Sequence, residues 1–137
     1  IESVFLKTTD FSPALTGAYS GGSRVFELRT YVTEPGRLSA LDTRFRDHTL
    51  AFFKHYGMTN LIYFHPADAD KGADNTLIYF LAHANRKAAD ASWSGFRADP
   101  KWIAAKAASE KSAGGSLTAP NGVKSVFLTP VDFSPMK

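Results

Sequence analysis

An antiparallel α+β fold is predicted by three features of this sequence. Segments of alternating Val, Phe, Tyr and Thr are interleaved with segments whose apolar residues recur every three or four positions. Gly, Pro, Asn and Asp punctuate the boundaries between them. The resulting order, β-α-β-β-α-β, is the split βαβ arrangement called ferredoxin-like.

Residues 24–33 alternate and are rich in Val, Phe, Thr and Tyr, which makes the first strand of the unit, and Glu34-Pro35-Gly36 turns the chain. Apolar residues at Leu38, Leu41, Phe45, Phe52 and Tyr56 then give an amphipathic helix, stopped by Gly57. A second strand spans 58–65 and ends at Pro66. A polar hairpin loop covers 67–75, and a third strand spans 76–84. Asn85 reads as the cap of a helix with Ala89, Trp93 and Phe96 on one face. Asp99-Pro100 restarts a helix, since Asp suits the cap and Pro the first turn. Gly114-Gly115 ends that helix, and 123–129 form the last strand.

The chain has 137 residues, enough for one domain with its own core. At 44% hydrophobic and 21% charged it is globular in composition, and no apolar run approaches the roughly 18 residues of a bilayer span. Its 16 Lys and Arg are scattered among 13 acids, so a net charge of +3 gives no nucleic-acid footprint. The absence of cysteine excludes disulfides, thiol catalysis and zinc–thiolate sites. The sequence opens at Ile1 instead of Met, from which we expect an N-terminal segment to have been removed, either a signal peptide or a preceding domain. Cytoplasmic and exported locations therefore both stay open.

One internal repeat stands out. Ser3-Val4-Phe5-Leu6 followed by Asp10-Phe11-Ser12-Pro13 returns as Ser125-Val126-Phe127-Leu128 followed by Asp132-Phe133-Ser134-Pro135, with identical internal spacing. A repeat one small domain apart suggests a duplicated domain. We accordingly read residues 1–15 as an arm resembling the last strand of a preceding repeat. Residues 16–23 are a Gly/Ser-rich linker, and 24–137 form the domain proper.

Successive strand residues point to opposite faces of a sheet. Phe26, Leu28, Ile62, Phe64, Ile78 and Phe80 form the more apolar set, and we expect the two helices to cover it. Glu27, Arg29, Tyr31, Tyr63, His65, Tyr79 and His83 form the opposite set, together with Leu77 and Leu81. That polar-aromatic set suits the lumen of a barrel closed by a second sheet, from a tandem copy or a second molecule.

Phe26-Glu27-Leu28-Arg29-Thr30-Tyr31 with Glu34-Pro35-Gly36 resembles the opening of NIPSNAP domains. His55-Tyr56-Gly57-Met58 resembles that family's first-helix exit. Trp93 and Phe96 with Arg97-Ala98-Asp99-Pro100-Lys101-Trp102 resemble its second-helix signature. The resemblance runs from about Val25 to the last strand. It implies a ferredoxin-like domain pairing into a dimeric α+β barrel. Animal members are associated with mitochondria and vesicle-related roles, and many bacterial members are uncharacterised. Similar barrels include cofactor-independent monooxygenases, haem-binding enzymes and small isomerases, but a fold does not transfer an activity. The family supplies no established catalytic residue.

Arg29 is the sharpest candidate for clamping a ligand carboxylate or phosphate; a structural ion pair with Glu27, two residues away on the same face, competes and is preferred. His65 and His83 are the candidate bases, each weighed against ordinary packing. His48 and His55 are seven apart on the first helix and do not have metal-ligand spacing. Asp68 to Asn75 lacks the order of a calcium loop, and no nucleophile elbow or phosphate loop is present. No metal or cofactor is expected. The expected partners are a second copy or tandem domain and a small organic or acidic ligand. The alternative is a cofactor-independent oxygenase or isomerase acting on an aromatic or polyketide-like substrate.

Overall fold

The structure, a computed structural model, describes residues 1–15 and 22–137. The expected linker at 16–23 lies mostly outside the described residues. A five-stranded antiparallel sheet carries all the helices on one side. Its strands are β1 (Leu6–Thr8), β2 (Val25–Thr33), β3 (Thr59–Pro66), β4 (Thr76–His83) and β5 (Thr118–Leu128), in the spatial order β1-β3-β4-β2-β5. The helices are α1 (Leu38–Arg44), α2 (Leu50–His55), α3 (Arg86–Ala98) and α4 (Pro100–Ala113). Inside the extra strand and split helices stands the expected β-α-β-β-α-β unit. Among the described residues no helix is long and apolar enough to cross a membrane.

Local chemistry sets the boundaries. The Asn85 side chain accepts the Ala88 N–H at 2.8 Å and starts α3, and Asp99 accepts the Lys101 N–H at 2.8 Å and starts α4. Gly114, at φ 86°, closes α4 in the left-handed conformation. The Tyr56 hydroxyl donates to Asp99 Oδ2 at 2.7 Å, which ties the end of α2 to the corner between α3 and α4. Gly95 is needed there, because a Cβ at that position would lie 2.9 Å from the Tyr56 ring.

Two boundaries differ from the sequence expectation. The final strand starts at Thr118, five residues before the expected 123, and carries a bulge at Pro120-Asn121-Gly122. Asn121 has φ 57°, and a Cβ on Gly122 would approach the Val32 carbonyl to 2.5 Å. The long first helix is interrupted by a π-helical segment, Phe45–Thr49, between α1 and α2. The buried residues Leu41, Phe45, Thr49 and Phe53 are four apart. A regular helix would swing such a series by about 40° per step; the wide turn returns it to one face.

The helices cover the face opposite to the one expected. The main core joins Leu41, Phe45, Phe53, Trp93, Phe96 and Trp102 from the helical layer to Tyr63, Leu77, Tyr79 and Leu81 of the sheet. Glu27, Arg29, Tyr31, Tyr63, His65, Tyr79 and His83 thus lie beneath helices, and they do not line a lumen on the free face. Phe26, Leu28, Ile62, Phe64, Ile78 and Phe80 occupy the face without helices. The reason is that polar groups on a covered face carry no penalty once their hydrogen bonds are met. Leu77 and Leu81, in the same alternating set, supply the apolar surface.

Candidate functional site

Beneath α3, Glu27 and Arg29 anchor a buried polar network. Glu27 is 1% exposed, yet its carboxylate receives four donors. Trp93 Nε1 and His83 Nε2 reach Oε1 at 2.8 and 2.9 Å. Arg29 and the Ser125 hydroxyl reach Oε2 at 2.7 and 2.6 Å. Burial pushes the Glu27 carboxyl up, but the hydrogen bonds from His83, Ser125, Arg29 and Trp93 outweigh it and hold it at about 2. An ionised Glu27 requires that His83 Nε2 carry a proton.

Arg29 is equally well held. Besides Glu27, its guanidinium donates to the Tyr79 hydroxyl at 3.1 Å and the Tyr31 hydroxyl at 3.3 Å, and it stacks 4.1 Å from the Trp93 ring centre. Burial opposes the Arg29 charge, but Tyr31, Tyr79 and Glu27 more than offset it. Tyr63 stacks on Tyr79 with ring centres 4.8 Å apart and donates to Asn60 Oδ1 at 2.6 Å. Burial pushes both phenols well up, so both stay protonated. The ion pair preferred for Glu27 and Arg29 is therefore present.

Five of the seven candidate residues, Glu27, Arg29, Tyr31, Tyr79 and His83, are linked directly. Tyr63 joins through its stacking on Tyr79. His65 stands apart, paired with Asp42 Oδ1 of α1 at 3.0 Å. Neither imidazole lines a cleft beside the network. Among the described residues, no group of three or more His, Asp or Glu side chains is placed to hold a metal ion.

Two adjoining clefts open between the sheet and α3 and α4, sharing Arg29, Trp93 and Arg97. The outer, about 480 Å³, is bounded by Arg86, Asp90, Ser125 and Phe127. The inner, about 230 Å³, is walled by Phe45, Phe53, Phe96 and Trp102, with Tyr31, Arg44, Thr49 and Lys106 at its edges. Since about 150 Å³ holds a benzene ring, the inner cleft has room for one or two aromatic rings.

Arg44 sets this cleft apart electrostatically. It is 5% exposed, its Nε has no hydrogen-bond partner, and its contacts are long: Ser109 Oγ at 3.4 Å and Glu110 Oε1 at 3.8 Å. Burial consequently lowers its affinity for a proton, and Tyr31 and Glu110 restore only part. Sequence reasoning missed Arg44, Thr49, Lys106 and Arg97. The available signal was the four-residue spacing of the first helix, which turns Phe45 and Thr49 into the cleft.

The geometry can now be set beside known proteins. A profile of the NIPSNAP family matches residues 26–135. The chain belongs to the NIPSNAP family. A NIPSNAP family protein of unknown function from Agrobacterium tumefaciens superposes with a TM-score of 0.67 at 18% identity, covering 87% of this chain and 97% of that one. An uncharacterised NIPSNAP domain protein from Burkholderia xenovorans gives 0.65 at 22% identity, covering 81% and 98%. SnoaB, a cofactor-independent oxygenase from Streptomyces nogalater, gives 0.52 at 15% identity, covering 83% and 99%. At these identities the likeness is one of fold. No curated protein matches the sequence.

Proposed function

We propose that this NIPSNAP domain binds a small aromatic anion, a carboxylate or an acidic phenol or enol, in the cleft between its sheet and α3 and α4. The observation that carries the reading is Arg44. A buried cation whose carboxylate partner, Glu110, stands 3.8 Å away and whose Nε is unpartnered, at the edge of an aromatic pocket, is incompletely compensated until an anion arrives. Arg29 differs: Glu27 already neutralises it, so it shapes the pocket and stacks on Trp93. Arg97 adds an exposed cation at the mouth.

The chain's 2 tryptophans, Trp93 and Trp102, both line this cleft, so intrinsic fluorescence reports on it directly. With 1-hydroxy-2-naphthoate as probe, quenching is expected to saturate in the native protein and to vanish in Arg44→Met. Unsaturable quenching, or equal quenching in a folded Arg44→Met, overturns the reading. An oxygenase or isomerase acting on such an anion is the second reading, supported by the fold shared with SnoaB. It needs a base other than His65 or His83, both of which are engaged away from the cleft. Oxygen uptake with a polycyclic phenol separates it from binding alone.

The second part of the proposal is assembly. The sheet face without helices presents Phe26, Ile62, Phe64 and Phe80 along an apolar groove of about 550 Å³, whose other wall is the C-terminal segment at Pro130, Val131, Ser134 and Met136. Such a face suits the sheet of a second copy, which would close the barrel.

A further inference from the structure

We propose that Glu110 sets the charge of the ligand that the inner cleft accepts. It leaves one positive charge in excess beside Arg44, so the cleft takes aromatic monoanions and turns away aryl phosphates. The proposal rests on the anion-binding reading above and adds to it the ligand class and the residue that selects it. Among the described residues lining the inner cleft none is acidic, whereas Arg44 and Lys106 both stand at its edge. Glu110 is not part of that lining; it lies on α4, one turn beyond Lys106, with its side chain 31% exposed. Its Oε1 is 3.8 Å from Arg44 Nη1 and 3.9 Å from Lys106 Nζ. One carboxylate oxygen thus answers two cations and hydrogen-bonds to neither.

A residue placed only to hold Arg44 would look different. A structural counter-ion approaches to about 2.8 Å, as Glu27 approaches Arg29 at 2.7 Å. Lys106 and Glu110 are an i,i+4 pair with the lysine first, the weaker order on a helix. Glu110 also stands in the last turn of α4, where the helix dipole disfavours a negative charge. Ser109 adds little, since its hydroxyl proton goes to the Lys106 carbonyl at 2.7 Å and its oxygen stays 3.4 Å from Arg44 Nη1. Glu110 therefore acts on Arg44 through its field, and that field scales with the charge of whatever enters.

Elsewhere in the clefts the charges cancel or face water. Glu27 cancels Arg29, and Asp90 pairs with Arg86. Arg97 is exposed and stacks 5.1 Å from the Trp93 ring centre, in the wall the clefts share. Around Arg44, two cations against one carboxylate leave a single positive charge, which a carboxylate or enolate neutralises. An aryl phosphate carries a charge of about −1.5 to −2 at neutral pH. It would bring an uncompensated second charge towards Glu110, in a cleft walled by Phe45, Phe53, Phe96 and Trp102.

The test uses 1-naphthol, 1-naphthoate and 1-naphthyl phosphate, one ring system with rising charge, in titration calorimetry at neutral pH and low salt. The native protein is expected to bind the naphthoate about tenfold more tightly than the phosphate. Glu110→Gln keeps the shape and removes the charge. With screening at a partly exposed carboxylate, it should tighten binding on the order of tenfold per ligand charge. Naphthol should not respond, the naphthoate should gain about tenfold and the phosphate about a hundredfold, closing the native preference. A purely structural role for Glu110 would shift all three together. Equal shifts for naphthoate and phosphate in Glu110→Gln, zero included, or a native preference for the phosphate, overturn the proposal and leave anion binding in place. Absence of saturable naphthoate binding to the native protein overturns the anion-binding reading, and this proposal with it. Should Glu110→Gln fail to fold, Lys106→Met carries the same comparison with the opposite sign: it should weaken the phosphate more than the naphthoate, and equal losses overturn the proposal.

Discussion

One face of this sheet is polar and dry, the other apolar and open. Beneath the helices, Glu27 holds four donors in a space with almost no solvent contact. On the other side Ile62, Phe64 and Phe80 are half-buried along an open groove. The contrast teaches that hydrophobicity alone does not choose the face a helix covers. A saturated polar network can be core, and an apolar row can be left for a partner.

The sharpest way to break the comparison is Glu27→Ala. It strands Arg29 in a buried position and leaves Trp93, His83 and Ser125 without their acceptor. A loss of about 3–5 kcal/mol is expected in urea unfolding, the range for breaking a buried ion pair. A loss below about 1 kcal/mol would mean that the network is peripheral to the core.

Acid should act through the same carboxylate. Its value of about 2, below the ordinary 4.5, means that the unfolded chain binds the proton more readily. The stabilisation is therefore fully present above pH about 4.5 and fades as pH falls towards 2, by about 3 kcal/mol in all. Glu27→Gln should remove this part of the acid dependence. An unchanged stability-versus-pH curve in that variant would assign the acid sensitivity elsewhere.

Most of the fold was legible because its signals are local. The caps at Asn85 and Asp99, the stop at Gly114 and the alternation in β2 to β4 each follow from a residue and its neighbours. The faces were misread for the opposite reason. The donors that satisfy Glu27 come from Trp93 and Ser125, 66 and 98 residues away in sequence. Leu77 and Leu81 were a usable clue to the covered face. For the site, the residues around Arg29 were found from strand alternation. Arg44 stayed hidden because a charged residue at the end of α1 reads as a solvated helix position, and the helix α4 that buries it lies 65 residues on, at Ser109.

Arg44 offers the next test, since it reverses the logic of Arg29. Replacing a buried, poorly paired cation by an apolar side chain of similar length is often neutral or stabilising. Arg44→Met should therefore change unfolding free energy by no more than about 1–2 kcal/mol, whereas Glu27→Ala should lose stability. A loss of more than about 3 kcal/mol would show that Arg44 supports the fold as Arg29 does.

The smallest effect on the isolated chain belongs to the open face. Phe80 lies in the groove beside Phe26 and Ile62, half-buried and with no helix above it. Phe80→Asp places a charge there that water can still solvate in a lone chain, so unfolding should be eased by only about 1 kcal/mol. Against a second sheet the same carboxylate would be desolvated without a counter-ion, a penalty of several kcal/mol that the association could not bear. Sedimentation of the native protein should then show a dimer and that of Phe80→Asp a folded monomer. Equal dissociation constants for the two would mean that the apolar row does not meet a partner, and that the difference between the faces ends with the helices.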